Sequence, residues 1–96
     1  MQVVVRGEAE ADIAEASLWY ETRSRGLGDT FMDAVKSALL QIGRYPLLYP
    51  VICRDLRCAP LRKFPYLMFY RIVDGTAFVV ACFHGRRDPR AWQARR

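Results

Sequence analysis

The residues best suited to chemistry in this 96-residue chain crowd into one stretch: His84-Gly85-Arg86-Arg87-Asp88-Pro89-Arg90-Ala91-Trp92. Histidine can take and give a proton near neutral pH, and His84 is the only one in the chain. Arg86 and Arg87 carry planar guanidiniums that grip phosphates or carboxylates through paired hydrogen bonds. Trp92 could stack on a base. Arg62 and Lys63, just ahead of the preceding strand, extend the same basic surface. Each residue also has a plainer reading. His84 would end a strand with its hydrogen bonds satisfied, and the arginines would pair with Asp88 or with the helices. Trp92 would cover a sheet face, and packing is the preferred reading for it.

Other chemistries lack their residues. Gly26-Leu27-Gly28 has neither the flanking strand nor the Lys-Ser/Thr ending of a phosphate loop. Ser17, Ser24 and Ser37 fall in or beside helical stretches, away from His84, so no Ser/His/Asp triad is drawn. Seven of the ten acids lie in the first 50 residues at solvent-face helical spacing, which argues against a catalytic carboxylate pair. Three cysteines (Cys53, Cys58, Cys82) are an odd number without a C-x-x-C pair. With one histidine beside them, neither a disulfide framework nor a zinc site is expected, and no metal or cofactor is called for.

The elements that must position these residues are legible in the periodicity. Tyr66–Val73 and Thr76–His84 are β-rich runs joined by Asp74-Gly75, a pair suited to a type I′ turn. Unbroken pairing outward from that turn sets 72 opposite 77, 70 opposite 79, 68 opposite 81 and 66 opposite 83. One face then carries Tyr66, Met68, Tyr70, Ile72, Ala77, Val79, Ala81 and Phe83. Arg71 and His84 share the other. Both faces are mainly apolar, as in a strand pair covered on both sides.

Gln2–Arg6 reads as a first strand. Glu8–Ser24 reads as a helix with the stripe Ala9, Ile13, Ala16, Tyr20 and acids in its first turns. Thr30–Gly43 reads as a second helix, capped by Gly28 or Asp29, with the stripe Phe31, Val35, Ala38, Leu39, Ile42. A further strand is expected within Cys53–Leu61, with Cys53 and Cys58 on its opposite faces. The order is β-α-α-β-β-β: an α+β domain spanning 1–96, a small antiparallel-rich sheet with the helical hairpin on one face. No run approaches the roughly 20 apolar residues of a membrane span, and no secretory signal is evident, so a cytoplasmic location is expected.

The formal net charge is +5, and it is unevenly spread. Residues 1–50 hold five Lys/Arg against seven Asp/Glu, a balance of −2. Residues 51–96 hold ten against three, a balance of +7. A cationic sheet half suits an acidic partner: nucleic acid, an acidic protein segment or a nucleoprotein machine.

Several motifs, in order, resemble the ParE/RelE superfamily of type II toxin–antitoxin toxins. They are A-E-A-D-I (9–13), W-Y-E (19–21), G-L-G-D-x-F (26–31), the Tyr45-Pro46 and Tyr49-Pro50 pairs, F-P-Y-x-x-x-Y-R (64–71) and H-x-R-R-D-P-x-x-W (84–92). The resemblance implies the βααβββ fold and a small toxin, of plasmid-stabilisation type, held inactive in a hetero-oligomer with a cognate antitoxin. ParE-like members poison DNA gyrase and arrest growth. RelE-like members are endonucleases that cut mRNA on the ribosome, commonly with an arginine where this chain has Leu67. The G-L-G-D-x-F and F-P-Y signatures look more ParE-like. The surface expected to meet target or antitoxin is Arg62, Lys63, Arg71, Arg86, Arg87, Arg90 and Trp92. For a RelE-like nuclease, the catalytic candidates are His84, Arg86 and Arg62. The third expectation is a degenerate, non-toxic member that only binds antitoxin.

Overall fold

The β-branched run Gln2–Val5 forms strand β1, where side chains stiff at χ1 cost least. The computed structural model describes residues 1–95. Helix α1 (Gly7–Arg23) buries Ala9, Ile13 and Ala16 from the expected stripe, with Tyr20 packed beside them. Helix α2 (Leu27–Arg44) buries Phe31, Val35, Ala38 and Ile42. It begins three residues earlier than its stripe suggests. Gly26, in the left-handed region at φ 86°, is its N-cap. The capping acceptor comes from the preceding helix: both Glu21 carboxylate oxygens accept from the Gly26 N–H, and one also accepts from Gly28. A Cβ on Gly28 would stand 2.8 Å from the Ser17 carbonyl oxygen, so only glycine permits this helix approach.

The remaining chain supplies β2 (Val51–Cys53), β3 (Leu56–Pro60), β4 (Tyr66–Val73), β5 (Thr76–His84) and a short helix α3 (Pro89–Gln93). The sheet order is β1-β5-β4-β3-β2. β1 runs parallel to β5, and every other pair is antiparallel. The α+β architecture, with the helical hairpin on one face of the sheet, is the expected one. Within it, the segment expected as one strand divides into two. The chain reverses at Arg54-Asp55, with Arg54 at φ 55°, so Cys53 and Cys58 sit on different strands.

The β4–β5 hairpin turns at Asp74-Gly75, both at positive φ, and pairs as expected from 73↔76 to 70↔79. Beyond that point β5 gains a residue. Phe69 pairs with Ala81, so Val80 and Ala81 together oppose the Phe69–Tyr70 step as a β-bulge. The slip exchanges the faces of everything after it. Cys82 joins the helix-side core, whereas Ala81 and Phe83 join Leu56, Phe69 and Val80 on the opposite face. The expectation that Arg71 and His84 share a face is overturned by that single inserted residue.

β1 ends where the bulge begins, with Arg6 N–H donating to Val79 O. The rest of β5 therefore has no strand on that side. Asp12 from α1 fills in, accepting from the Cys82 N–H at 3.0 Å. Arg95 closes the arrangement from the tail: its guanidinium spans both Asp12 oxygens at 2.7 and 3.1 Å and donates to Val80 O. Asp12, read from sequence as one of the helix-dipole acids, is thus a latch between helix, strand edge and tail.

Candidate functional site

The stretch from His84 to Trp92 is a turn followed by one helical turn. Asp88 caps α3, accepting from the Arg90 N–H, and Pro89 follows at the start of the helix, where its missing N–H costs nothing. That Asp-Pro signal was present in the sequence. Arg90 folds back on Asp88, with its nearest nitrogen at 2.6 Å, and this bond lowers the Asp88 pKa. Arg90 is the cation that Asp88 holds; Arg86 and Arg87 are exposed on the turn before it. Arg87 lies over the Phe83 ring at 4.0 Å.

Trp92 stacks on Phe69, with centroids 4.9 Å apart and planes 16° from parallel. It covers the sheet face opposite the helices, as the packing reading expected. Leu67 packs against the same cluster of Leu56, Phe69, Val80, Ala81 and Phe83. The position that carries an arginine in the resembled nucleases is here part of an apolar layer.

His84 is on the other face. Its ring meets Tyr66 edge-on at 5.5 Å and lines a cleft of about 510 Å³ with Trp19, Tyr20 and Arg87. Its Nδ1 accepts the Arg86 N–H at 3.0 Å, which puts the proton of neutral imidazole on Nε2. Arg62 lines a different cleft, about 270 Å³, between α2 and Tyr49. Lys63 is exposed, at φ 68°.

The connections carrying Arg62–Lys63 and Arg86–Arg87 meet at one end of the sheet, where Gly85 N–H donates to Pro65 O. Arg71 is not with them. It lies near the opposite end of β4, 3.4 Å from Asp55 as an ion contact without hydrogen-bond geometry, and lines a small polar hollow with Arg6 and Arg95.

Cys82 is buried, and burial beside Asp12 raises its thiol pKa to about 12; burial raises that of Cys58 to about 11. Neither thiol is therefore poised as a nucleophile at neutral pH.

One feature escaped the residue-by-residue reading. A groove along the helical hairpin, two adjoining hollows of about 700 and 670 Å³ that share Lys36 and Leu39, runs from Leu18 and Met32 to Val3 on β1. Leu18 and Leu40, 66% and 62% exposed, stand outside the core stripes, and that displacement was the available signal.

A family model described as the ParE toxin of the type II toxin–antitoxin system, parDE, matches residues 3–89. The chain belongs to that toxin family. ParE toxins of this family imply an antitoxin partner. Among solved structures, a chain of the chromosomal ParDE TA system from P. aeruginosa is similar, with a TM-score of 0.65 and 14% identity. The match covers 88% of this chain and 95% of that one. The isolated E. coli RelE toxin is similar too, with a TM-score of 0.63 and 18% identity over 97% of this chain and 93% of its own. At these identities the likeness is one of fold, shared by both branches. No curated protein matched in sequence. Among the described residues, no helix is long and apolar enough to cross a membrane.

Proposed function

We propose that this ParE-family chain is a cytoplasmic, protein-binding toxin directed at DNA gyrase, neutralised by a cognate antitoxin in a hetero-oligomer. The observation that carries the reading is Leu67, an apolar-layer residue where the resembled nucleases commonly place an arginine, together with the separate clefts of His84 and Arg62. His84 faces a cleft on the helix side, Arg62 lines a separate cleft, and Arg86 lies on the outer turn. General acid–base catalysis of RNA cleavage needs its groups around one reacting phosphate, within about 3 Å of the atoms they serve. Leu67, within the apolar cluster, supplies no cation to that phosphate.

Binding asks less of the same residues. Arg62, Lys63, Arg86 and Arg87 at one end of the sheet favour an acidic surface, and Arg90 and Arg71 contribute less because Asp88 and Asp55 already neutralise them. Trp92 acts through the layer it covers. The hairpin groove, apolar and open to the unpaired edge of β1, suits an amphipathic antitoxin segment.

The test is a gyrase supercoiling assay with the purified chain. Inhibition or trapped cleaved DNA, abolished by adding antitoxin, is expected. Full supercoiling at excess chain overturns the reading. Codon-linked mRNA cleavage on programmed ribosomes, lost in His84→Ala/Arg86→Ala, would replace it with the RelE-like one. Growth unaffected by induced expression would leave the non-toxic scaffold.

A further inference from the structure

Residues 45–52, Tyr-Pro-Leu-Leu-Tyr-Pro-Val-Ile, form a run without one charged side chain, its only side-chain polar atoms the two tyrosine hydroxyls, yet most of it lies outside the core. Tyr45, Leu47, Leu48, Val51 and Ile52 are between 42% and 70% exposed. They make up half of the large hydrophobic residues exposed in the described chain. The segment connects α2 to β2 and includes most of β2, the edge strand farthest across the sheet from β1.

Such a run would be expected to collapse onto the core unless something holds it outward. Two side chains of the sheet do, Tyr70 buried and Arg57 half-buried. The Tyr70 hydroxyl, from the middle of β4, donates to Pro46 O. Arg57 on β3 donates to Tyr49 O at 2.6 Å and more weakly to Leu47 O at 3.5 Å. The backbone is pinned at the carbonyls of Pro46 and Tyr49, on either side of Leu47 and Leu48, whose side chains face water. A surface ordered before binding loses little conformational entropy when a partner docks, and exposed apolar patches of this kind mark protein interfaces.

The flanking charges decide the kind of partner. Arg44 precedes the run and Arg54 follows it; both are exposed and neither pairs with an acid among the described residues. A second copy of this chain would bring like charges together. An apolar surface rimmed by carboxylates meets both features at once. The β2 edge is also short and bulged, which disfavours simple strand addition and leaves side-chain packing as the mode of contact.

We propose that the Tyr45–Ile52 surface is where the toxin's protein target docks, presenting an acid-rimmed apolar patch, at the edge of the sheet away from the hairpin groove. The proposal rests on the toxin reading above and adds the residues that meet the target. Leu47→Ser/Leu48→Ser is the informative variant, since both side chains are exposed and the anchoring hydrogen bonds use backbone oxygens. Arg44→Glu/Arg54→Glu tests the rim.

Three measurements are made on each chain: growth arrest on induced expression, gyrase supercoiling, and melting temperature. The leucine variant is expected to lose arrest and to need at least about tenfold more protein for half-inhibition of gyrase, as for truncation of a central interface contact. The charge-reversed variant is expected to need about threefold more, with the difference fading in high salt. Melting temperatures should match the parent chain.

Parent-like arrest by the folded leucine variant overturns the docking surface. So does a dimer of the parent chain in sedimentation that the variant abolishes, because the patch then serves self-association. A parent chain that fails to inhibit gyrase but arrests growth overturns only the gyrase assignment, and arrest by the variants still decides the surface. A parent chain that does not arrest growth overturns the toxin reading and the surface with it.

Discussion

The two faces of the sheet are covered in different ways. On one, α1 and α2 seal a continuous core whose aromatic centre is Tyr20, Phe31, Phe64 and Tyr66, with centroid separations of 4.8 to 6.0 Å. On the other, Leu56, Phe69, Val80, Ala81 and Phe83 are buried under little more than α3 and its flanks. Trp92 lies on Phe69, and the guanidiniums of Arg87 and Arg95 lie over Phe83. The first face is held by many contacts spread over two long helices. The second hangs on a five-residue helix and one latch. Local opening draws on regions with few contacts, so the two faces should differ in how they respond to losing one side chain.

The largest effect belongs to the helix side. Phe31 is fully buried, and Phe31→Ala is expected to cost about 3–5 kcal/mol in urea unfolding through lost transfer energy and a residual cavity. The latch comes next. Asp12→Ala leaves the Cys82 N–H and the Arg95 guanidinium without their acceptor and should cost about 2–3 kcal/mol. Its sharper signature is hydrogen exchange: amides of residues 90–95 and of Cys82 should lose protection while those of α2 keep it. Trp92→Ala should cost less, about 1–2 kcal/mol, because the indole is only half-buried. If Trp92→Ala unfolds the chain as severely as Phe31→Ala, the faces are one cooperative unit and the comparison fails.

The same contrast explains what could be read from the sequence. The helix stripes were legible because solvent lies on their far sides: Ala9, Ile13 and Ala16 recur against charged neighbours. In Ala77-Phe78-Val79-Val80-Ala81-Cys82-Phe83 both faces are buried or nearly so. A one-residue slip then leaves the hydrophobic pattern unchanged, and nothing marks Val80 as the inserted residue. That hidden bulge sent His84 to the helix side and away from Arg71. The reversal at Arg54-Asp55 was hidden because arginine is not a residue that announces positive φ. For the site, the sequence showed that cations were concentrated in residues 51–96. It did not show that Asp88 would take Arg90 and leave Arg86 and Arg87 exposed. Which arginine closes on an acid one or two positions away depends on the path of the turn.

The smallest effect tests how α1 and α2 are joined on the well-covered face. Glu21 is exposed, yet its carboxylate accepts from the backbone N–H groups of Gly26 and Gly28, and those bonds lower its pKa from the ordinary 4.5. They substitute for the side-chain cap that α2 lacks. A carboxylate whose folded pKa is depressed stabilises the fold fully above its unfolded pKa, and the contribution disappears as pH falls through the lower folded value. Glu21→Gln should therefore melt slightly below the parent chain by a constant margin from about pH 7 to about pH 5.5, and the margin should shrink below about pH 4. The variant replaces charge-assisted bonds with neutral ones at nearly the same shape, so the margin reports the ionised form. A margin that widened on acidification would mean that the carboxyl is bonded in its protonated form. The α1–α2 corner would then depend on packing around Gly28 alone, as the rest of that face depends on packing.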